Sequence, residues 1–303
     1  MITDQLVIVR GGGDIATGVV QALRHAGFPV LILETDRPSA IRRTVALSEA
    51  VYEGSARVED IEVHFAENLD QAEYLLFSES IAMMSDPEGC VIRDIIDTEE
   101  KYSYWDTGLT TLEGGGRHLF LTAVVDAVLA KKNLGTRMDM APWVIALGPG
   151  FTAGEDCSAV IETMRGHNLG RCITEGSAAE NTGIPGLIEG HGADRVIHSP
   201  AAGILHCRAQ ISDLVEEGQL IAEVRNPEDG ELTPVTASLT GVLRGLIREG
   251  FEVRKGMKIA DIDPRASQKE NCFTISDKAR CIGGAVVTYL TGWAARKAVD
   301  ETD

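Results

Sequence analysis

The sequence predicts an α/β protein, a mostly parallel sheet followed by a smaller all-β module and a C-terminal helix. Three observations predict it. The chain opens with an apolar run, a glycine turn and a helix-spaced segment; a second apolar run ends in a glycine turn at Gly148; and short strand patterns repeat in tandem after residue 199. Strands alternating with helices build layered parallel sheets, whereas short Gly-punctuated strands build all-β modules.

Residues 6–9 read as a buried strand, residues 15–26 carry apolar side chains at helical spacing and stop at Gly27, and residues 28–33 form the second strand. This is a βαβ unit, whose crossover is right-handed. Beyond it the pattern predicts a strand at 61–65, a helix at 70–84 and a strand at 91–96. Residues 104–117, with Gly114, Gly115 and Gly116, read as a mobile loop, and 119–132 as a helix. Residues 143–147 are a strong strand broken by Gly148-Pro149-Gly150. A helix over 156–165 stopping at Gly166, and a strand at 171–174, complete a second βαβ unit.

From residue 199 the chain repeats itself. Residues 203–224 aligned on 241–262, an offset of 38, match Gly203 with Gly241, Leu205 with Leu243, Val215 with Val253, and Gly218, Ile221 and Ala222 with Gly256, Ile259 and Ala260. One copy alone leaves an apolar face exposed, and two packed together bury it. Residues 275–295 read as a helix with Ser276 or Asp277 as N-cap. The expected division is therefore an α/β region at 1–195, the repeat module at 196–266 and a helical tail at 267–303.

The 303 residues hold 46 acidic and 28 basic side chains, a net charge of −18. The first 194 residues hold 30 acidic and 14 basic, so they carry −16 of that total. Such a field repels a phosphate backbone and excludes nucleic acid and anionic membrane as partners. Six scattered cysteines without a CxxC pair fit small buried hydrophobes in a reducing cytoplasm. The first apolar run is too short for a signal peptide, and the run near residues 283–295 is too short for a membrane span, which needs about 20 residues.

The first glycine turn, Arg10-Gly11-Gly12-Gly13-Asp14-Ile15-Ala16, follows a strand and opens a helix. Gly11, Gly13 and Ala16 fit the G-x-G-x-x-G/A pattern of a Rossmann-like dinucleotide turn, with a phosphate at the helix N-terminus. Glu34, 21 residues after Gly13, ends the second strand, where a carboxylate accepts from a ribose diol. Asp14 puts opposing charge near the phosphate. Arg37, Arg42 and Arg43 read either as phosphate grips or as a solvated cluster.

Gly148 and Gly150 of the second turn line the same expected crevice, because open sheets bind ligands beyond the carboxyl ends of their strands. Pro149 removes a donor, and Glu155 and Asp156 disfavour a second phosphate. Glu162 and Arg165 read as an i,i+3 surface ion pair and His167 as a loop hydrogen-bonder. His191, His198 and His206 fit structural histidines. No G-x-S-x-G, H-E-x-x-H or Walker A pattern occurs, so hydrolase and ATPase chemistry lose support, and no metal site is expected.

Taken together, RGGGDIATG (10–18), ETDRPSAIRR (34–43), AVLAKKNLGT (127–136), LGPGFTAGED (147–156) and ETMRGHNLGR (162–171) resemble the YqeB family of accessory proteins of the selenium-dependent molybdenum hydroxylase system, over nearly the full length. The resemblance implies a role in maturing molybdenum hydroxylases and carries over no catalytic residue. The first turn more distantly resembles xanthine dehydrogenase accessory factors, which implies a cofactor dinucleotide. The repeat resembles the barrel-sandwich fold of biotinyl and lipoyl domains, but residues 225–240 contain no carrier lysine.

The expected function is that of a cytoplasmic accessory protein binding a nucleotide-containing cofactor, molybdopterin dinucleotide or NAD(P), and engaging a molybdenum hydroxylase or its maturation machinery. Gly11, Gly12, Gly13, Asp14, Ala16, Glu34, Gly148 and Gly150 form the expected cofactor site. Arg10, Arg37, Arg165 and His167 are expected to supply polar contacts. A homo-oligomer stays open, as do an NAD(P)-dependent oxidoreductase and a non-catalytic protein-binding scaffold.

Overall fold

The structure, a computed structural model, describes residues 2–99, 119–183 and 187–300. The chain divides into two compact units: Met1–Pro38 with Leu47–Asn181 and Ile275–Asp303, and Ser39–Ala46 with Thr182–Thr274.

The first unit contains β1 (Gln5–Arg10), α1 (Asp14–His25), β2 (Val30–Glu34), α2 (Ala50–Glu53), β3 (Ser55–Val58), β4 (Ile61–Phe65), α3 (Leu69–Phe77), β5 (Ile81–Ser85), α4 (Cys90–Glu99) and β6 (Phe120–Asp126). It continues through β7 (Trp143–Leu147), β8 (Thr152–Ala153), β9 (Ala159–Ile161), β10 (Cys172–Ile173) and β11 (Gly176–Ser177), and closes with α5 (Asp277–Asp300). Nine strands form one mixed sheet in the order β10-β9-β7-β6-β1-β2-β5-β4-β3. Only β3 and β10 run antiparallel to their neighbours. Central strands such as β1 are continuous apolar runs because both faces of a parallel sheet are covered.

The chain leaves β1 toward β2 on one side and returns to its other side as β6, so the strand order reverses between β1 and β6. The two strands are in parallel register, Arg10 beside Asp126. Helices α1 and α5 pack through small residues. A Cβ on Gly18 would stand 2.7 Å from the Ala279 backbone, and one on Gly283 would stand 2.4 Å from the Gly18 carbonyl oxygen. The Ser276 hydroxyl caps α5, accepting from the Ala279 N–H at 3.2 Å.

Several expected elements change type. Residues 119–132 supply the central strand β6 rather than a helix, because an apolar β-branched run of this length reads equally as a buried strand. Residues 156–165 contain β9, not a helix, and it lies parallel to β7 through a helix-free loop. Gly148, Gly150 and Gly154, all at positive φ, hold that loop out of helical geometry, so the second βαβ unit is not formed. The expected helix at 70–84 is split into α3 and the strand β5, and the strand at 91–96 is the helix α4. The expected loop at 104–117 lies outside the described residues.

The second unit contains β12 (Val196–His198), β13 (Gly203–Cys207), β14 (Leu214–Val215), β15 (Leu220–Arg225), β16 (Leu232–Thr236), β17 (Gly241–Leu246), β18 (Glu252–Val253) and β19 (Lys258–Asp263). They form two four-stranded sheets, β12-β19-β17-β14 and β16-β15-β13-β18. Each copy of the repeat donates its short middle strand to the sheet of the other. The offset of 38 maps one sheet order exactly onto the other, and a single apolar cluster draws on both. Glycine is required at equivalent places: a Cβ on Gly203 or Gly241 would stand 2.3 Å from the carbonyl oxygen of Arg225 or Asp263.

Candidate functional site

The first glycine turn lies at the carboxyl end of β1, at the point where the strand order reverses. Gly11 has φ +95°, and a Cβ there would stand 3.0 Å from the Ala127 carbonyl oxygen at the end of β6. Gly13 sits just before α1 in extended geometry and offers no side-chain cap to it. A Cβ on Gly13 would meet nothing within 4 Å, so the backbone at the head of α1 borders open space. Ala16 is fully buried, as a small residue packing helix on sheet must be. The position suits an anion, since the first N–H groups of a helix have no intrahelical acceptors.

Glu34 sits at the end of β2, and its carboxylate is bound to the turn itself. Oε2 accepts from the Gly12 N–H at 2.7 Å, and Oε1 accepts from the Thr35 N–H at 2.8 Å. Burial pushes the carboxyl above its ordinary value, against the pull of those two hydrogen bonds. The Gly12 N–H is thereby committed to Glu34.

Arg10 is buried. Its Nη1 donates to Thr136 Oγ1 and lies 3.5 Å from Asp126 Oδ2, while Nη2 donates to the Pro87 carbonyl oxygen at 3.1 Å. Thr136 in turn donates to Asp126. Asn133 accepts from the Thr136 N–H at 2.8 Å and donates to Asp156 Oδ1 at 3.2 Å, and Asp156 Oδ2 accepts from the Thr152 N–H at 2.8 Å. One polar chain thus ties the end of β1 to the loop after β6 and to the second glycine turn. Gly150, at φ +106°, admits that loop: a Cβ there would stand 2.6 Å from the Lys132 nitrogen. A Cβ on Gly148 would strike Thr163 Oγ1 at 2.5 Å. Both glycines are required by packing, and both lie at the carboxyl end of β7. Arg10 faces the interior of this network.

The expected Glu162–Arg165 pair does not form. Glu162 is buried and accepts from the N–H groups of Met164 at 2.7 Å and Ala179 at 2.8 Å, whereas Arg165 makes a bidentate pair with Asp277 at 2.9 and 3.0 Å. His167 and Arg37 are exposed. Arg42 and Arg43 are partly exposed. They belong to the second unit, donating to the carbonyl oxygens of Asn271 and Leu246.

Lys278, in the first turn of α5, escaped the sequence reading. It is half-buried and makes no hydrogen bond or ion pair to a described residue. Burial lowers its pKa, Arg165 adds to that, and Asp14, Glu162 and Asp277 oppose it. Its charge therefore lies within reach of the first residue of α1, although the two are far apart in sequence.

In the second unit, Cys207 and His206 are not coupled. The Cys207 thiol donates to the Ile247 carbonyl oxygen at 3.7 Å, and His206 Nδ1 lies 2.8 Å from Glu249. Burial and the Glu249 charge push the Cys207 thiol up to about 11, which is not an activated nucleophile. Among the described residues no group of three or more His, Cys, Asp or Glu side chains could hold a metal. No helix among them is long and apolar enough to cross a membrane.

No family model matches the chain. Solved structures give only slight likenesses. An ectoine utilization protein, EutE, from Ruegeria pomeroyi is 10% identical with TM-score 0.24, covering 85% of this chain and 87% of that one. An aspartoacylase family protein from Mesorhizobium loti is 8% identical with TM-score 0.28, covering 86% of each chain. Scores of this size carry no argument about fold or activity. The uncharacterized protein YqeB of Escherichia coli K12 is 47% identical over 287 residues, which are 94% of this chain and 47% of that protein. The chain is thus a homologue of YqeB, spanning about half the length of that relative.

Proposed function

We propose that the first unit binds a nucleotide-containing cofactor at the Gly11–Gly13 turn and that the protein serves as an accessory factor in maturing a molybdenum hydroxylase. The observation that carries the binding half is the open space at Gly13, before an uncapped helix N-terminus, where the strand order reverses. Open α/β sheets bind ligands at such points. The central order β6-β1-β2 supports a Rossmann-like reading, and the paired four-stranded sheets support a barrel-sandwich reading of the repeat. In this reading Gly11, Gly13 and Ala16 shape the phosphate turn, and Gly12 and Glu34 brace it. Glu34 meets the ribose with the lone pairs left over from Gly12 and Thr35. Gly148 and Gly150 line the far side, and Lys278 offsets Asp14.

The accessory role rests on the resemblance of the five motifs alone, and the hydroxylase or its maturation machinery is the proposed partner. A scaffold reading without nucleotide draws on one observation, the commitment of the Gly12 N–H to Glu34.

Calorimetric titration with NAD⁺, NADP⁺, CTP and molybdopterin cytosine dinucleotide tests the proposal, with Gly13→Asp as control. Binding of the pterin dinucleotide alone, lost in the variant, is the expected result. Selective NAD(P) binding would replace it with the oxidoreductase reading, and binding of none would leave the scaffold.

A further inference from the structure

After β9 the chain of the first unit bends back on itself twice. β10 pairs antiparallel with β9, and β11, a few residues on, pairs with β8 beside the second glycine turn. Ser177 Oγ lies 3.2 Å from Thr152 Oγ, and the Ala179 N–H returns to the Glu162 carboxylate at 2.8 Å. This segment frames an open cavity of about 490 Å³. Its lining is polar: Glu162, Asn168, Arg171, Thr174, Glu175 and Ser177.

Glu162 and Arg171 stand opposite each other where the β9–β10 ladder ends. The Glu162 N–H donates to the Arg171 carbonyl oxygen and the Gly170 N–H to the Glu162 carbonyl oxygen, each at 2.9 Å, with Gly170 at φ +77° as the extra residue of a bulge. Opposed residues of an antiparallel pair root their side chains about 5 Å apart, and both of these line the cavity. Their charges do not meet. Glu162 is only 5% exposed, and its two carboxylate oxygens accept from the Met164 and Ala179 N–H groups, one apiece, with a lone pair left on each. Arg171 is exposed and donates to Asn168 Oδ1 at 3.4 Å. Neither makes an ion pair with a described residue, although Lys278 lies within electrostatic reach of Glu162.

A buried carboxylate with acceptors to spare calls for a donor, and a guanidinium calls for a planar anion. Side chains rooted so close together suit a ligand that carries an ammonium and a carboxylate on one carbon. Two carboxylates, Glu162 and Glu175, against one guanidinium leave the lining at −1, which attracts a cationic ligand side chain and repels an acidic one. We propose that this cavity binds a free α-amino acid with a basic side chain, its ammonium on Glu162 and its carboxylate on Arg171. Glu175 and the Thr174 and Ser177 hydroxyls meet the rest of the ligand. The site does not use the Gly11–Gly13 turn and is independent of the nucleotide reading.

The test is calorimetric titration of the full chain with L-lysine, L-glutamate and cadaverine, which is L-lysine without its carboxylate. L-Lysine is expected to bind at one equivalent, roughly tenfold or more tighter than either of the others. Arg171→Gln changes an exposed side chain, so it is expected to keep the parent's melting temperature. It should bring L-lysine down to the affinity of cadaverine and leave cadaverine unaffected, a change of preference that misfolding does not imitate. Glu162→Gln is expected to weaken both amines. Absence of saturable L-lysine binding by the parent, equal affinity for L-glutamate, or a preference for L-lysine over cadaverine that survives Arg171→Gln overturns the proposal. A Glu162→Gln variant that binds both amines as the parent does overturns it as well.

Discussion

The carboxylate of Glu34 grips the backbone of Gly12, Oε2 to N at 2.7 Å, so that the residue ending β2 closes the turn that follows β1. Burial holds this carboxyl above its ordinary value of 4.5. The folded state keeps a proton that the unfolded chain has already released once the pH passes that value. Unfolding free energy attributable to Glu34 therefore falls as pH rises from there, until the folded carboxyl has ionised too. Glu34→Gln removes the titration, so urea denaturation of the variant between about pH 4 and 7 should show a flatter profile than the parent. An identical slope in both would discard this account of Glu34.

Two glycines of the candidate crevice should respond oppositely to alanine. Gly13→Ala adds a methyl group to open space and should cost about 1 kcal/mol or less in stability while lowering affinity for whichever nucleotide binds. Gly150→Ala drives a Cβ into the Lys132 backbone at a positive φ and should cost about 3 kcal/mol. Thermal melts with paired titrations read both. Unchanged nucleotide affinity in Gly13→Ala would remove the close approach assigned to that backbone.

Arg10 and Asp126 should behave as one buried unit. Either Arg10→Met or Asp126→Ala leaves a charge uncompensated inside the sheet and should cost about 3–5 kcal/mol. The double variant should cost clearly less than the sum of the two. Chemical denaturation of the full cycle measures the coupling, and simple additivity would mean that the pair is not coupled.

Symmetry in the repeat gives a matched pair of variants. Gly203→Ala and Gly241→Ala each force a Cβ onto a carbonyl oxygen at the same distance, and Gly203 also holds φ +150°, so each should cost about 1–3 kcal/mol and Gly203→Ala no less than Gly241→Ala. A clearly smaller cost for Gly203→Ala in denaturation would overturn this account of the paired contacts.

Much of this was legible in the sequence where local physics decides alone. The strand at 61–65, the helix after the first glycine turn, the tail helix with Ser276 or Asp277 as its cap and the repeat offset are legible from periodicity, caps and glycines. Residues 119–132 and 91–96 are not decided by the sequence because short apolar runs fit either period, and only the neighbouring strands decide between them. Of the site, the two glycine turns were legible. Glu34 was correctly placed at the end of its strand, but its engagement with Gly12 depends on a side-chain conformation that spacing cannot give. Lys278 was not legible, because only the packing of α5 on α1 brings it near Asp14.

The exchange of short strands in the second unit has a consequence for how such a module assembles. Neither 22-residue copy owns a complete sheet, since β14 completes the sheet of the second copy and β18 that of the first. The copies stand to each other as the subunits of a domain-swapped dimer, fused here by residues 225–240. Neither half can nucleate as an independent foldon. The module has to form in one cooperative event built on long-range pairing, a topology that folds slowly, and splitting it at the connection would convert an intramolecular equilibrium into a concentration-dependent one.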